Sequence, residues 1–176
     1  MEADESQEIA DNVSEQARVS ERFRRRAALA IGVMAMLLAI ASLGGENAMK
    51  ETINSNILAA NAYAFYQARN IRQDIYASMA ELLEASGKDA APYRGRAEHE
   101  REEKAKLIEE AKKHDAERAV AQSRDVNFDY ARAIYQIAIV LGSVSIVAAS
   151  RTLIWLAGLL AVIATALSAN GYLLVM

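Results

Sequence analysis

Charged and apolar positions are segregated along this chain. Three stretches, Ala27 to Gly45, Ala133 to Ser150 and Thr152 to Met176, contain no charged residue. An uncharged apolar run of about 18 residues or more is long enough, as a helix, to cross a hydrocarbon core roughly 30 Å thick. The pattern therefore predicts transmembrane helices at 27–45, 133–150 and 152–176. Between the first two, the pattern becomes amphipathic. Ile53, Ile57, Ala60, Ala64, Ala68, Ile71, Ile75, Met79 and Leu82 recur at steps of three or four, the mark of a helix with one apolar face. Ile53, Ala64 and Ile75 are spaced by 11, a period that suits nearly straight or slightly right-handed packing. Ser86-Gly87-Lys88-Asp89 predicts a helix stop and Ala91-Pro92 a restart, because Gly accepts a left-handed C-cap and Pro suits a first turn. The return helix, from Pro92 into the second span, is dominated by charge. Its Glu100 and Lys104, Glu102 and Lys106, and Glu109 and Lys113 are placed for i,i+4 pairing.

The expected fold is an all-α membrane protein. A polar segment, 1–26, precedes three transmembrane helices, and an extramembrane helical hairpin, 46–132, lies between the first and second. Arms of some 40 residues would extend on the order of 60 Å. Two helices sharing one weakly apolar face bury too little surface to offset their ordering entropy. Arms from neighbouring subunits are therefore expected to pack together, with Ile53, Ile57, Ile71, Ile75 and Leu82 forming the hairpin core and oligomer contact. In the membrane, Ala157, Ala161, Thr165 and Ala169 on the third span, and Ala138 with Gly142 on the second, permit close helix approach.

Charge fixes the expected orientation. Arg22, Arg24, Arg25 and Arg26 abut the first span, and Arg151 is the only charge between the second and third. Basic residues favour the cytoplasmic side, and three spans place both groups on that side together. The reading is a bacterial inner-membrane, multi-pass protein with a cytoplasmic N-terminus, a periplasmic hairpin and a periplasmic C-terminus. Ala39-Ile40-Ala41 resembles a signal-peptide cleavage site, but the long acidic leader and long apolar run favour a retained anchor. Trp155, Tyr130, Tyr135 and Tyr172 fall where interfacial aromatics belong. The net charge of -3 excludes a strongly basic nucleic-acid binder, and the absence of cysteine excludes disulfides and thiolate chemistry.

Two segments carry a family resemblance: residues 61–73, Asn-Ala-Tyr-Ala-Phe-Tyr-Gln-Ala-Arg-Asn-Ile-Arg-Gln, and residues 128–141, Phe-Asp-Tyr-Ala-Arg-Ala-Ile-Tyr-Gln-Ile-Ala-Ile-Val-Leu. They resemble a bacterial family of three-span membrane proteins catalogued only as a domain of unknown function. In that family the first segment looks like Trp-Ala-Tyr-Tyr-Gln-Ala followed by a basic residue, from which Tyr63 and Phe65 depart conservatively. An acid is usual where this chain has Arg132. The resemblance implies three spans with a long loop after the first, and no activity.

Candidate chemistry is sparse. Tyr63, Tyr66, Arg69 and Arg72 could form a binding face, with stacking rings and bidentate guanidinium donors, although interhelical packing is the commoner use of such aromatics. His99 with Glu103, and His114 with Glu110, lack the convergent ligands that a metal site needs. Asn47, Asn54 and Asn61, at seven-residue spacing, read more simply as a polar face than as buried pairs fixing subunit number. No charged or histidine side chain lies within the spans, so the relays that ion-coupled transporters need are missing. No nucleophile elbow, phosphate-binding Gly loop or zinc-protease helix is visible, and no catalytic residue, cofactor or metal is assigned. The expectation is a non-enzymatic, homo-oligomeric membrane protein with a structural or scaffolding role, in contact with the lipid bilayer and open to a further membrane-protein partner. The alternative is a passive channel, an oligomeric ring around hydroxyl side chains such as Ser143, Ser145, Thr165 and Ser168.

Overall fold

Apolar runs and helix-favouring charged segments follow one another without a breaker for most of the chain, and the helices are correspondingly long. The computed structural model describes residues 2–173, with side chains from residue 18 onward. Helix α1 spans Glu2–Ala85, α2 spans Ala91–Val147 and α3 spans Arg151–Leu173. Each contains a segment long and apolar enough to cross a membrane. Gly44 and Gly45 do not interrupt α1, so the first apolar run and the amphipathic segment after it form one helix.

The two turns are built alike. At the end of α1, Gly87 has φ 69°, Lys88 N donates to Leu83 O at 2.9 Å and Gly87 N donates to Glu84 O at 2.9 Å. This paired closure satisfies the last carbonyls of the helix and needs a left-handed residue at its centre. Asp89 Oδ1 then accepts from Ala91 N at 2.9 Å, capping α2 ahead of Pro92. At the end of α2, Ser150 N reaches Ser145 O at 3.1 Å and Ala149 holds φ 49°. Here an alanine occupies a conformation that glycine accepts more readily.

Contacts divide the chain into two compact units, one built from the chain up to Asn47 together with the segment from Ser123 onward, the other from Ala48–Gln122. The first unit packs the apolar parts of the three helices through small residues. Ala27, Met34 and Ala41 of α1, Ala131, Ala138 and Ser145 of α2, and Ala157, Ala161 and Ala164 of α3 are buried. A Cβ on Gly142 would stand 2.9 Å from Ile31 Cγ1, so the Ile31 side chain of α1 packs directly onto the α2 backbone there. Short side chains let backbones approach closely, which is the main attraction available to helices in lipid.

On α3 the buried line runs through Ala157, Ala161, Ala164 and Gly171, while Thr165 and Ala169 face outward. A strict four-residue step advances 400° and so drifts 40° per step away from a fixed face, whereas alternating steps of four and three hold it. Thr165 therefore leaves the packing stripe expected of it, keeping only its hydroxyl in contact.

The second unit is an antiparallel helix pair. Across it, Arg118 meets Asn56, Asp115 meets Tyr63, Glu100 meets Arg69 and Arg94 meets Glu84, so the numbering rises on one helix as it falls on the other. Ser55, Ala59, Ala62 and Ala80 of α1 are buried, as are Ala111 and Ala121 of α2 and Ala90 just ahead of it. The isoleucine stripe does not form this core. Ile53, Ile57, Ile71, Ile75 and Leu82 are 49 to 63% exposed. The correction has a steric reason: the helices approach on their short side chains, and this inward face repeats every seven residues, not eleven. Ser55 and Ala62 lie on one line of the heptad, and Ala59, Gln73 and Ala80 on the other.

Candidate functional site

The sequence singled out the segment from Tyr63 to Arg72, and the structure turns most of its polar groups onto α2. Tyr63 Oη donates to Asp115 Oδ2 at 2.8 Å. That bond raises the phenol above its ordinary range, because the proton is held between two oxygens. The Tyr66 ring lies 5.8 Å from Lys104 Nζ, and the same ammonium donates to Asn70 Oδ1 at 2.6 Å. Arg69 Nη1 donates to Glu100 Oε2 at 3.0 Å, and Arg72 Nη1 lies 3.9 Å from Glu100 Oε1. The Tyr63 hydroxyl, the Tyr66 ring and the two guanidinium groups thus take part in an interhelical seam.

Glu100 is the centre of that seam. It is 6% exposed, a carboxylate with two arginines of α1 within 4 Å. Sequence spacing pairs it with Lys104 four residues on, but the neighbouring helix offers guanidinium groups with better geometry, and Lys104 turns to Asn70 instead. The other charge pairs also differ from the i,i+4 expectation. Lys106 bonds Glu103 at 2.7 Å and Lys112 lies 3.5 Å from Glu109, both i,i+3. The first pair holds the Glu103 carboxyl below its usual range and lifts the Lys106 amine above its own.

His114 lies against Glu117 at 2.9 Å and Glu110 at 3.9 Å. Among the described residues no three His, Asp or Glu side chains converge as metal ligands would. Asn47, Asn54 and Asn61 are exposed, while Asn56 accepts from Arg118 at 3.0 Å. Toward the tip, the Tyr76 and Tyr93 rings lie 6.3 Å apart between centroids and tilted by 52°, with the Arg96 guanidinium beside both.

The outer face of α1 is the other candidate surface. Met49, Ile53, Ile57, Ala60, Ala64, Ala68, Ile71, Ile75, Met79 and Leu82 are all exposed and follow the pattern of four, four and three. Their line extends roughly 50 Å at about 1.5 Å per residue. Among the described residues, the large members of this line keep 43 to 63% of their surface exposed.

In the first unit, a cluster that the sequence did not single out as a site joins the ends of all three apolar segments. The Phe128 ring, 2% exposed, sits between Gly44 and Gly171. Tyr172 packs edge-on against it at 4.8 Å, and its hydroxyl donates to Ile40 O at 3.2 Å. Asn170 Nδ2 donates to Asn127 Oδ1 at 3.2 Å, and Arg132 pairs with Asp129 one turn away. Burial pushes the Asp125 carboxyl up, with Asp129 adding to the effect and Arg132 opposing it.

The signal for this cluster lay in the paired glycines and in Phe128 of the second family-like segment, but glycines inside an apolar run specify no partner. Tyr135, two turns further along α2, is buried with its hydroxyl 2.8 Å from Thr165 Oγ1, so it packs between helices where the sequence suggested an interfacial belt. Trp155 and Tyr130 are exposed, as are Arg22, Arg24, Arg25, Arg26 and Arg151. Of the hydroxyls weighed as pore-lining, Ser145 is fully buried with its Oγ on Gly142 O, and Thr165 donates to Ala161 O at 2.7 Å.

These features define an all-α chain of three long helices, each able by length and composition to span a bilayer, with a polar seam and a separate exposed apolar stripe. The family model described as Domain of unknown function (DUF4337) matches residues 23–174, and the chain belongs to that family. Both segments that carried the resemblance lie inside the match. No curated protein and no solved structure matches the chain.

Proposed function

We propose that this protein is a non-enzymatic structural or scaffolding component of a bacterial inner membrane, anchored by three spans and assembled into homo-oligomers through extramembrane hairpins. The observation that carries the reading is the exposed aliphatic line on α1. Seven of its members, Met49, Ile53, Ile57, Ile71, Ile75, Met79 and Leu82, are large and 43 to 63% exposed. Removing the remaining surface of each from water is worth about 1 kcal/mol, on the order of 7 kcal/mol per subunit before association costs. The alanine seam inside the hairpin contributes little per residue, so the arm gains most of its stability from neighbours. The spacing also supports the reading: an eleven-residue stripe is suited to nearly straight packing along a second such helix. The arginines beside the apolar runs, Arg22, Arg24, Arg25, Arg26 and Arg151, favour a cytoplasmic N-terminus.

The test is the mass of the detergent-solubilised particle by native mass spectrometry, for the wild type and for Ile71→Asp combined with Ile75→Asp. Both side chains are exposed in the single chain, so the substitution leaves the hairpin's own seam intact. The expected result is a wild-type oligomer that dissociates in the double variant. An assembly of unchanged mass would overturn the assignment of this face, and a monomeric wild type would overturn the proposal itself.

A further inference from the structure

Where the first and third apolar runs begin, α1 and α3 leave an open cavity of about 590 Å³ between them. Arg22, Arg26 and Arg151 line it, with Phe23, Ile154 and Trp155 among the apolar lining residues. No carboxylate is among its lining residues. Arg24 and Arg25, which sit on the same turn of α1, do not line it. The charges are thus sorted by helical position and not merely concentrated in the sequence. Arg26 immediately precedes the uncharged run that starts at Ala27, and Arg151 precedes the one that starts at Thr152.

We infer that this cavity binds an anionic phospholipid, with the headgroup phosphate held by Arg22, Arg26 and Arg151 and an acyl chain laid along Ala27, Ala30, Ile154 and Trp155. The inference rests on the membrane-spanning reading, which puts the cavity at the headgroup layer. Guanidinium groups give paired donors to phosphate oxygens, and a basic pocket between the ends of spans is suited to an anionic headgroup. The first turn of α3, with its free backbone amides, adds partial positive charge on the same side. Trp155 is 79% exposed, a large ring left mostly open beside the space where the acyl chain would lie. A free phosphate ester shares the headgroup chemistry but makes no use of that apolar wall.

The experiment uses the full chain, purified in detergent, delipidated and titrated in native mass spectrometry with dioleoylphosphatidylglycerol or dioleoylphosphatidylcholine, whose acyl chains are the same. The wild type is expected to retain the anionic lipid at least about tenfold more tightly, since each basic side chain near an anionic lipid surface is worth about a fivefold change in affinity. Arg22→Gln with Arg26→Gln and Arg151→Gln should abolish the preference. Arg24→Gln with Arg25→Gln should keep it, and equal loss in the two variants would reduce the effect to general surface charge and overturn the site. Ala30→Phe fills the cavity while leaving every charge in place, and should lower lipid retention even if the triple variant does not insert. Glycerol 3-phosphate, the same phosphate without chains, should not compete at concentrations at which the lipid saturates; competition at equal concentration would assign the site to a soluble ester. Flotation with liposomes separates the two readings: a protein that fails to float refutes the membrane reading, whereas one that floats without lipid preference refutes only this site.

Discussion

Replacing Gly44 by alanine tests whether the Phe128 cluster is a packed junction. A Cβ at Gly44 would stand 2.6 Å from Phe128 Cε1, 2.7 Å from Cζ and 2.8 Å from the Tyr172 hydroxyl. The ring has little room to swing away, because the Gly171 backbone lies against its other side, near enough that a Cβ there would stand 3.0 Å from Cζ, and Tyr172 packs edge-on against it with its hydroxyl on Ile40 O. Added volume in a site confined from both sides costs about 1–3 kcal/mol. Gly32→Ala is the control, since a Cβ there meets nothing within 4 Å. In a helix interior that change is favourable by roughly 0.5–1 kcal/mol. The two alanines should therefore shift stability in opposite directions, separated by roughly 1.5–4 kcal/mol. Reversible unfolding in mixed detergent micelles, followed by helical circular dichroism, reads the difference. If Gly44→Ala were as stable as Gly32→Ala, the ring would not be held as described.

Other expectations follow from the hairpin seam. Arg69→Met removes the nearer partner of buried Glu100 and should destabilise the Ala48–Gln122 unit by about 2 kcal/mol, less than for a fully buried pair because Arg72 remains nearby; hydrogen exchange of that segment in the full chain measures it, and unchanged protection would contradict the seam. The Tyr63 phenol should deprotonate above the ordinary range, and Asp115→Asn should bring it back, as read by absorbance near 295 nm against Tyr63→Phe. Because the folded value is raised, this bond contributes at pH values below the ordinary phenol range and is lost as pH rises through the raised value.

Much of the scaffold was legible from the sequence because its physics is local. Uncharged runs, the Ser86-Gly87-Lys88-Asp89 stop and the Ala91-Pro92 restart depend on neighbours in the chain, and α1 ends at Ala85 while α2 starts at Ala91. What faces what was harder to see. Large aliphatic residues ordinarily mark an inward face, but an isoleucine line and an alanine line can share one helix, and periodicity alone does not say which meets the partner. Arg69 and Arg72 read as free donors because their acceptor, Glu100, lies about thirty residues away on a helix whose own spacing offered Lys104. Thr165 was misplaced by a four-residue count that a helix does not keep.

The buried Glu100 also bears on how the hairpin finds its alignment. The buried alanines of α1 recur at heptad positions, so apolar contact between small residues is a weak guide to which heptad of α2 meets which of α1. A slip of α2 by seven residues would bring Glu100 opposite Ala62 or Tyr76 and strand its carboxylate without Arg69. It would also separate Asp115 from Tyr63 and Arg118 from Asn56. An unpaired buried charge costs several kcal/mol, more than a few alanine contacts recover. The carboxylate thus acts as a key that fits one setting of an otherwise repetitive lock, selecting against misaligned hairpins more than it strengthens the aligned one.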